Sequence, residues 1–212
     1  VNLAVDRFEL GPLQTNCYVV RRERGAPEAV VVDPGGDVTG LRLELARMST
    51  GVVAILLTHG HWDHVLGVSD LAEATGAPVY LGSDELDELE RGAPELLASP
   101  KLQPFVPEHR LAGGEKLELA GLEIEVLATP GHRPGHMAFL IDGALFSGDV
   151  LFRGSVGRAD LPGGDWETLM STLQALVDRF PPETVVYSGH GPETTLGAEL
   201  RTNLFLMELR AQ

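Results

Sequence analysis

The chain has 212 residues, with 31 acidic against 16 basic side chains and a formal net charge of −15. That balance disfavours a nucleic-acid surface, which needs clustered Lys and Arg. No apolar run approaches the ~18 to 20 residues of a membrane span, and the single Cys17 rules out an internal disulfide.

The length suits one sizeable core, and no Pro/Gly/Ser-rich or charge-block linker divides it, so a single domain over residues 1–212 is expected. The N-terminus, Val1 to Asp6, has neither a basic start nor an apolar signal core, which points to a soluble, cytoplasmic protein. Leu3 to Leu10 and Gln14 to Arg22 read as strands joined at Gly11-Pro12. Cys17 sits in the second as a buried small hydrophobe, and Ala29 to Asp33 makes a third strand ended by Pro34-Gly35-Gly36. Asp37 can cap a helix with Val38, Leu41, Leu45 and Met48 at helical spacing. Val52 to Leu57 is a β-branched-rich strand, His64 to Ala74 a helix, Pro78 to Leu81 a strand, and Ser83 can cap a helix over Asp84 to Arg91.

Residues 92–108 carry four prolines and read as an irregular surface loop. Lys116 to Ala120 and Leu122 to Ala128 alternate around Ala120-Gly121 as a hairpin. Met137 to Ile141 and Ala144 to Ser147 form another, through a type I′ Asp142-Gly143 turn. Asp165 caps a helix bearing Leu169, Leu173, Leu176 and Val177. Thr184 to Ser188 is a strand, and Thr194 to Leu209 a closing helix in which Arg201, Asn203 and Phe205 form a packing face.

Thr58-His59-Gly60-His61-Trp62-Asp63-His64 holds three of the seven histidines and a carboxylate immediately after an apolar strand. Residues two apart in an extended exit point the same way. His59 and His61 therefore form one half of a ligand set, while Asp63 and His64, one turn on, face a neighbouring position. This is a plan for two adjacent metal ions. His132, Asp149 and His190 also follow strands, so seven groups can converge on one rim of a sheet. The N-terminal dipole of the following helix would support Asp63.

With these residues in view, the chain resembles the metallo-β-lactamase superfamily over essentially its full length, and within it the short bacterial branch of glyoxalase II-like proteins. The motif T-H-x-H-x-D-H stands as Thr58 to His64. The later signatures stand as Thr129-Pro-Gly-His132, Ser147-Gly-Asp149-Val-Leu-Phe152 and Ser188-Gly-His190-Gly-Pro. The resemblance implies an α/β fold of αββα four-layer sandwich type. It also implies His59, His61 and His132 on one metal, Asp63, His64 and His190 on the other, and Asp149 bridging them. Longer glyoxalase II enzymes carry a C-terminal helical extension and tyrosines that grip glutathione, whereas this sequence runs only a little past Arg201-Thr-Asn203 and has Pro192 just after the last ligand.

Two divalent ions, with zinc expected and iron or manganese compatible, would make Asp63 and Asp149 the catalytic carboxylates and support hydrolysis by metal-bound hydroxide. No Gly-x-Ser-x-Gly elbow competes with them. A thiol of pKa ~8.5 leaves without a general acid, whereas an amine needs one, and no clear acid stands outside the ligands. His109 reads as an exposed loop residue and His136 as a packing or supporting residue. A thioester fits best, and the resemblance implies S-D-lactoylglutathione or a related acylthiol. Arg158 and Arg153 are candidate contacts for an anionic substrate, or else partners of Asp160 or Asp165. A mononuclear-iron persulfide dioxygenase is the alternative, since the Gly157-Arg158-x-Asp160 stretch is similar there too. A β-lactamase, a nuclease and a non-catalytic module rank below it. The oligomeric state is open.

Overall fold

The computed structural model describes residues 3–85 and 105–209. β1 (Ala4–Leu10), β2 (Thr15–Arg21), β3 (Glu28–Val32), β4 (Gly51–Leu56), β5 (Val79–Gly82) and β6 (His109–Leu111) lie side by side in chain order as one sheet. β1, β2 and β3 pair antiparallel and β3 to β6 pair parallel. Two of the three parallel steps are made by crossover helices: α1 (Thr39–Arg47) carries β3 to β4, and α2 (Trp62–Val65) with α3 (Val68–Thr75) carries β4 to β5.

The second sheet contains β7 (Lys116–Leu119), β8 (Leu122–Ala128), β9 (Met137–Ile141), β10 (Ala144–Gly148), β13 (Val185–Ser188) and β14 (Thr194–Thr195), in the order β14-β13-β10-β9-β8-β7. A two-residue hairpin, β11 (Leu151–Phe152) with β12 (Ser155–Val156), stands apart from both sheets. The helices α4 (Trp166–Arg179), α5 (Leu196–Thr202) and α6 (Leu204–Leu209) complete the chain.

Three apolar clusters show the layering. Val31, Leu41, Leu45, Ile55, Val68 and Leu71 lie between the first sheet and α1 and α3. Val30, Leu56, Ile124, Phe139 and Phe146 lie between the sheets. Leu145, Leu169, Leu173, Leu176 and Leu200 lie between the second sheet and α4 and α5. The result is the αββα sandwich. Strands covered on both faces lose polar alternation, which is why β2 is buried throughout. Within the 20–33 cal/mol per Å² range for apolar burial, each large core side chain contributes roughly 1.5–3 kcal/mol.

The expected hairpin turns are present, with positive φ at Ala120, Gly121, Asp142 and Gly143. Other expectations need correction. Asp37 caps nothing in the strict sense: its Oδ1 accepts from Thr39 N, while Val38 occupies the cap position of α1. The helix expected over His64 to Ala74 is broken at Gly67, whose N–H donates to Pro34 O and whose Cα faces Gly36 O too closely for any side chain. The helix expected over Thr194 to Leu209 begins as β14, which pairs with β13, and is interrupted at Asn203. His109 is not in a loop: it belongs to β6, exposed, with its ring stacked on Tyr80 at 4.2 Å. The helix expected over Asp84 to Arg91 is described only as a 3₁₀ turn, Ser83–Glu85. Its remainder, and the loop as far as residue 104, lie outside the described residues. No helix among the described residues is long and apolar enough to cross a membrane.

Candidate metal centre

Both sheets end their strands at one rim, and the chemistry collects there. Beyond β4 the chain runs through Thr58 to His64; beyond β8 it reaches His132, beyond β10 Asp149, and beyond β13 His190. His59 Nε2 lies 2.9 Å and His132 Nε2 3.0 Å from His61 Nδ1. Hydrogen bonds behind two of the rings, His59 and His132, set which nitrogen carries the proton. Thr58 Oγ1 donates to Asp33 Oδ2, so it accepts from His59 Nδ1–H at 3.0 Å. His132 Nδ1–H donates to the Arg158 carbonyl at 2.7 Å. Both Nε2 atoms therefore present lone pairs to the same point.

The second group is mixed. Asp63 Oδ2 lies 3.2 Å from His190 Nε2 and 3.6 Å from His64 Nε2, and it accepts from Thr15 Oγ1 at 3.0 Å. His64 Nδ1–H donates to Asp33 Oδ2 at 2.9 Å, which leaves its Nε2 to face inward. Asp149 stands between the groups. Its Oδ1 is 3.3 Å from His64 Nε2, and its Oδ2 is 3.6 Å from His190 Nε2 and 3.8 Å from His132 Nε2. All seven residues singled out in the sequence thus meet. The donor atoms within each of three sets, His59-His61-His132, His59-His64-Asp149 and Asp63-His64-His190, lie within 4.8 Å of one another.

The donor chemistry suits divalent cations. Two imidazole lone pairs aimed at a third ring nitrogen repel unless a positive centre lies among them. His64 Nε2 and Asp149 Oδ1 are both buried with no hydrogen-bond partner, which is costly for polar atoms that no ion engages. The backbone keeps their space clear: a Cβ on Gly189 would come within 2.2 Å of Asp149 Oδ1 and 2.7 Å of His64 Cε1.

Burial, joined by repulsion from the neighbouring imidazoles, holds His59 well below the usual histidine range and His61 at about 3. It also lowers His132. For His64, burial again opposes the charged form, but Asp149, Asp63 and Asp33 outweigh it and raise the pKa well above the usual value. His190 is raised in the same way, chiefly through its bond to Asp63. The carboxyls of Asp63 and Asp149 also feel burial, which His64 and its neighbours overcome, lowering both.

Several supporting residues escaped the sequence reading. Asp33, at φ 50° just past β3, binds Thr58 N, Thr58 Oγ1 and His64 Nδ1 with one carboxylate. An acid closing an apolar strand ahead of Pro-Gly-Gly fits the same strand-end rule that found the ligands. Asn16 donates to the carbonyls of Ser188 and Gly191, on either side of His190. Glu85 holds Gly60 N and Gly135 N. His136, read as a supporting residue, is fully buried: its Nε2 accepts from Asp149 N at 3.2 Å, and its Nδ1–H donates to Thr129 Oγ1 at 2.8 Å.

The two candidate arginines have exposed side chains. Arg153 is exposed in the β11–β12 turn. Arg158 is exposed and pairs bidentately with Asp160 at 2.7 and 2.8 Å, which leaves Asp160 with a pKa of about 2. Asn203 and Phe205 pack: Asn203 is buried on Ser155 O and Glu199, and Phe205 meets Trp166 edge-on.

Comparison with known proteins agrees with this fold. The family model described as Metallo-beta-lactamase superfamily matches residues 10–190. The hydroxyacylglutathione hydrolase GloC of Haemophilus influenzae is 36% identical over 200 residues, covering 91% of this chain and 93% of that protein. The crystal structure of TTHA1623 in a di-iron-bound form superposes with a TM-score of 0.84 at 45% identity, covering 95% of this chain and all of that one. The crystal structure of the BLEG-1 B3 metallo-beta-lactamase superposes with a TM-score of 0.90 at 39% identity, covering 96% and 99%.

Proposed function

The chain belongs to the metallo-beta-lactamase superfamily, and from that premise we propose that it is a binuclear metal-dependent hydrolase of thioesters. The substrate is S-D-lactoylglutathione or a related acylthiol. The observation that carries this reading is the convergence of two three-residue donor sets on one shared carboxylate, Asp149. Two divalent cations held there would polarise the scissile carbonyl and lower the pKa of water toward ~7. Zinc is the expected occupant, with iron and manganese suited to the same His/Asp donors.

The protein's own groups divide the remaining work. His59, His61 and His132 offer neutral nitrogens. Asp63 and Asp149 supply negative charge, and Asp33, Thr58 and Thr15 fix the rings and carboxylates that do so. His190 is the most open of the seven, its side chain 30% exposed, and marks the side from which substrate reaches the centre. The groups that back the ligands are already committed. Both ring nitrogens of His136 are engaged, and Asp33 and Glu85 accept several hydrogen bonds each. None is placed to protonate a departing amine. A thiol, which leaves as its anion, asks for no such donor. The name of the Haemophilus influenzae relative supports the same substrate class. Arg158, exchanging Asp160 for a substrate carboxylate, and Arg153 are the proposed anion contacts in a strongly acidic protein.

A second reading, β-lactam hydrolysis, draws on the likeness to the BLEG-1 metallo-beta-lactamase. Elemental analysis of purified protein, with parallel assays on S-lactoylglutathione and a chromogenic cephalosporin, decides between them. Two ions and rapid thiol release are expected. Cephalosporin turnover without thioester cleavage would favour the second reading. A single iron with oxygen uptake on glutathione persulfide would replace both with a dioxygenase.

A further inference from the structure

One buried acid outside the seven-residue cluster touches both loops that carry the imidazole triad. Glu85 ends the 3₁₀ turn after β5 and is fully buried. Its Oε2 accepts from Gly60 N at 2.9 Å and from Arg133 Nε at 3.2 Å, and its Oε1 accepts from Gly135 N at 2.9 Å. Gly60 separates His59 from His61, while Arg133 follows His132 and Gly135 precedes His136. Burying a carboxylate is costly unless it is fully hydrogen-bonded, and these three donors, two of them main-chain, meet that need.

The surroundings are built to the carboxylate's dimensions. A Cβ on Gly60 would come 3.1 Å from Glu85 Oε2, one on Gly135 would come 2.9 Å from Glu85 Cγ, and one on Gly82 would come 2.0 Å from Gly135 O. Arg133 extends the connection by donating from Nη1 to Pro162 O at 2.8 Å. That segment also includes Arg158, whose carbonyl fixes the His132 ring.

We propose that Glu85 is a positioning residue for the imidazole triad. It sets the spacing of the His59–His61 loop against the His132 loop, and with it the affinity of that triad for a divalent cation, without touching the cation. This rests on the two-cation reading above.

The test titrates metal-free wild type, E85Q, E85D and D6N with Co²⁺, followed by calorimetry and by the d–d absorption of each binding step. The step lost in H61A is assigned to the triad. Gln places an N–H against a main-chain N–H, and Asp is too short to span both loops. Each variant is expected to weaken the triad step about 10- to 100-fold, the range for residues that orient metal ligands, and to shift its absorption band. The other step should move less than about threefold. D6N breaks the Asp6–Arg21 pair between β1 and β2, where one partner is buried, and should leave both steps as in wild type. If E85Q does not fold, E85D carries the same test. Wild-type binding of both ions together with an unchanged triad step in the Glu85 variants overturns the positioning role. So does equal weakening of both steps. Fewer than two ions in wild type overturns the two-cation reading itself.

Discussion

The imidazole triad and the mixed set lie on either side of Asp149, yet their environments act on them in opposite directions. In the triad, burial and neighbouring imidazoles strip charge from the rings, leaving His59 far below its usual pKa and His61 at about 3. In the mixed set, the same desolvation acts on His64, but three carboxylates overcome it and raise the ring's pKa well above the ordinary range. One side is a neutral set of lone-pair donors. The other carries carboxylates that favour positive charge among its rings. The number of acids within reach, not the ligand type, makes a histidine one or the other.

The most severe way to break this comparison is to change the group that both halves share. Asp149→Asn keeps the shape and removes the charge. Hydrolysis is expected to fall on the order of 10²–10³-fold, the scale for losing a preorganised electrostatic group, with loss of bound metal by elemental analysis. Full activity with both ions retained would remove Asp149 from the centre.

Asp33→Asn acts directly on the mixed set through His64 and reaches the triad only at one remove, through Thr58 and His59, because the new amide N–H opposes the donors from Thr58 or His64. Metal affinity there should drop about 10- to 100-fold, measured by the same cobalt titration. An unchanged second step would show that Asp33 serves only the β3–β4 backbone.

Acid separates the halves without touching metal. His61 takes up no proton in the folded state until about pH 3, whereas the unfolded chain does so near ~6.5. Its contribution is therefore full above ~6.5 and is lost as pH falls toward 3, at about 1.4 kcal/mol per pH unit for each such histidine. His64 has the opposite sign: its stabilisation is present below ~6.5 and is lost as pH rises through its elevated value. Thermal unfolding of the metal-free protein should fall steeply between pH 6.5 and 4, and less steeply in His61→Asn. Equal slopes would put the acid sensitivity elsewhere.

The mildest change lies outside both halves. Arg158→Ala removes an exposed pair with Asp160 and should leave the melting temperature unmoved while raising KM more than it lowers kcat. Unchanged kinetics would take Arg158 out of substrate binding.

How much of this could be read from the sequence follows from how local each signal is. The ligands are legible because each set follows an apolar strand, and the hairpins because Ala120-Gly121 and Asp142-Gly143 supply the positive φ that their turns require. β6 and β14 were missed because three- and two-residue strands have no periodicity of their own and exist only through pairing with β5 and β13. The break at Gly67 is imposed by the Pro34–Gly36 loop packing against it, a contact 31 or more residues away in sequence. Glu85 stays hidden for the same reason: the partners of its carboxylate are 25, 48 and 50 residues away.

The seven donors are divided between the two sheets. His59, His61, Asp63 and His64 follow a strand of the first, whereas His132, Asp149 and His190 follow strands of the second. An ion shared by His61 and His132 closes a loop of 71 residues, and such a closure restricts the unfolded chain much as a disulfide does. A protein with one cysteine would thereby gain a removable cross-link between its halves, so the ligand set that prepares the chemistry also rivets the sandwich shut at its rim.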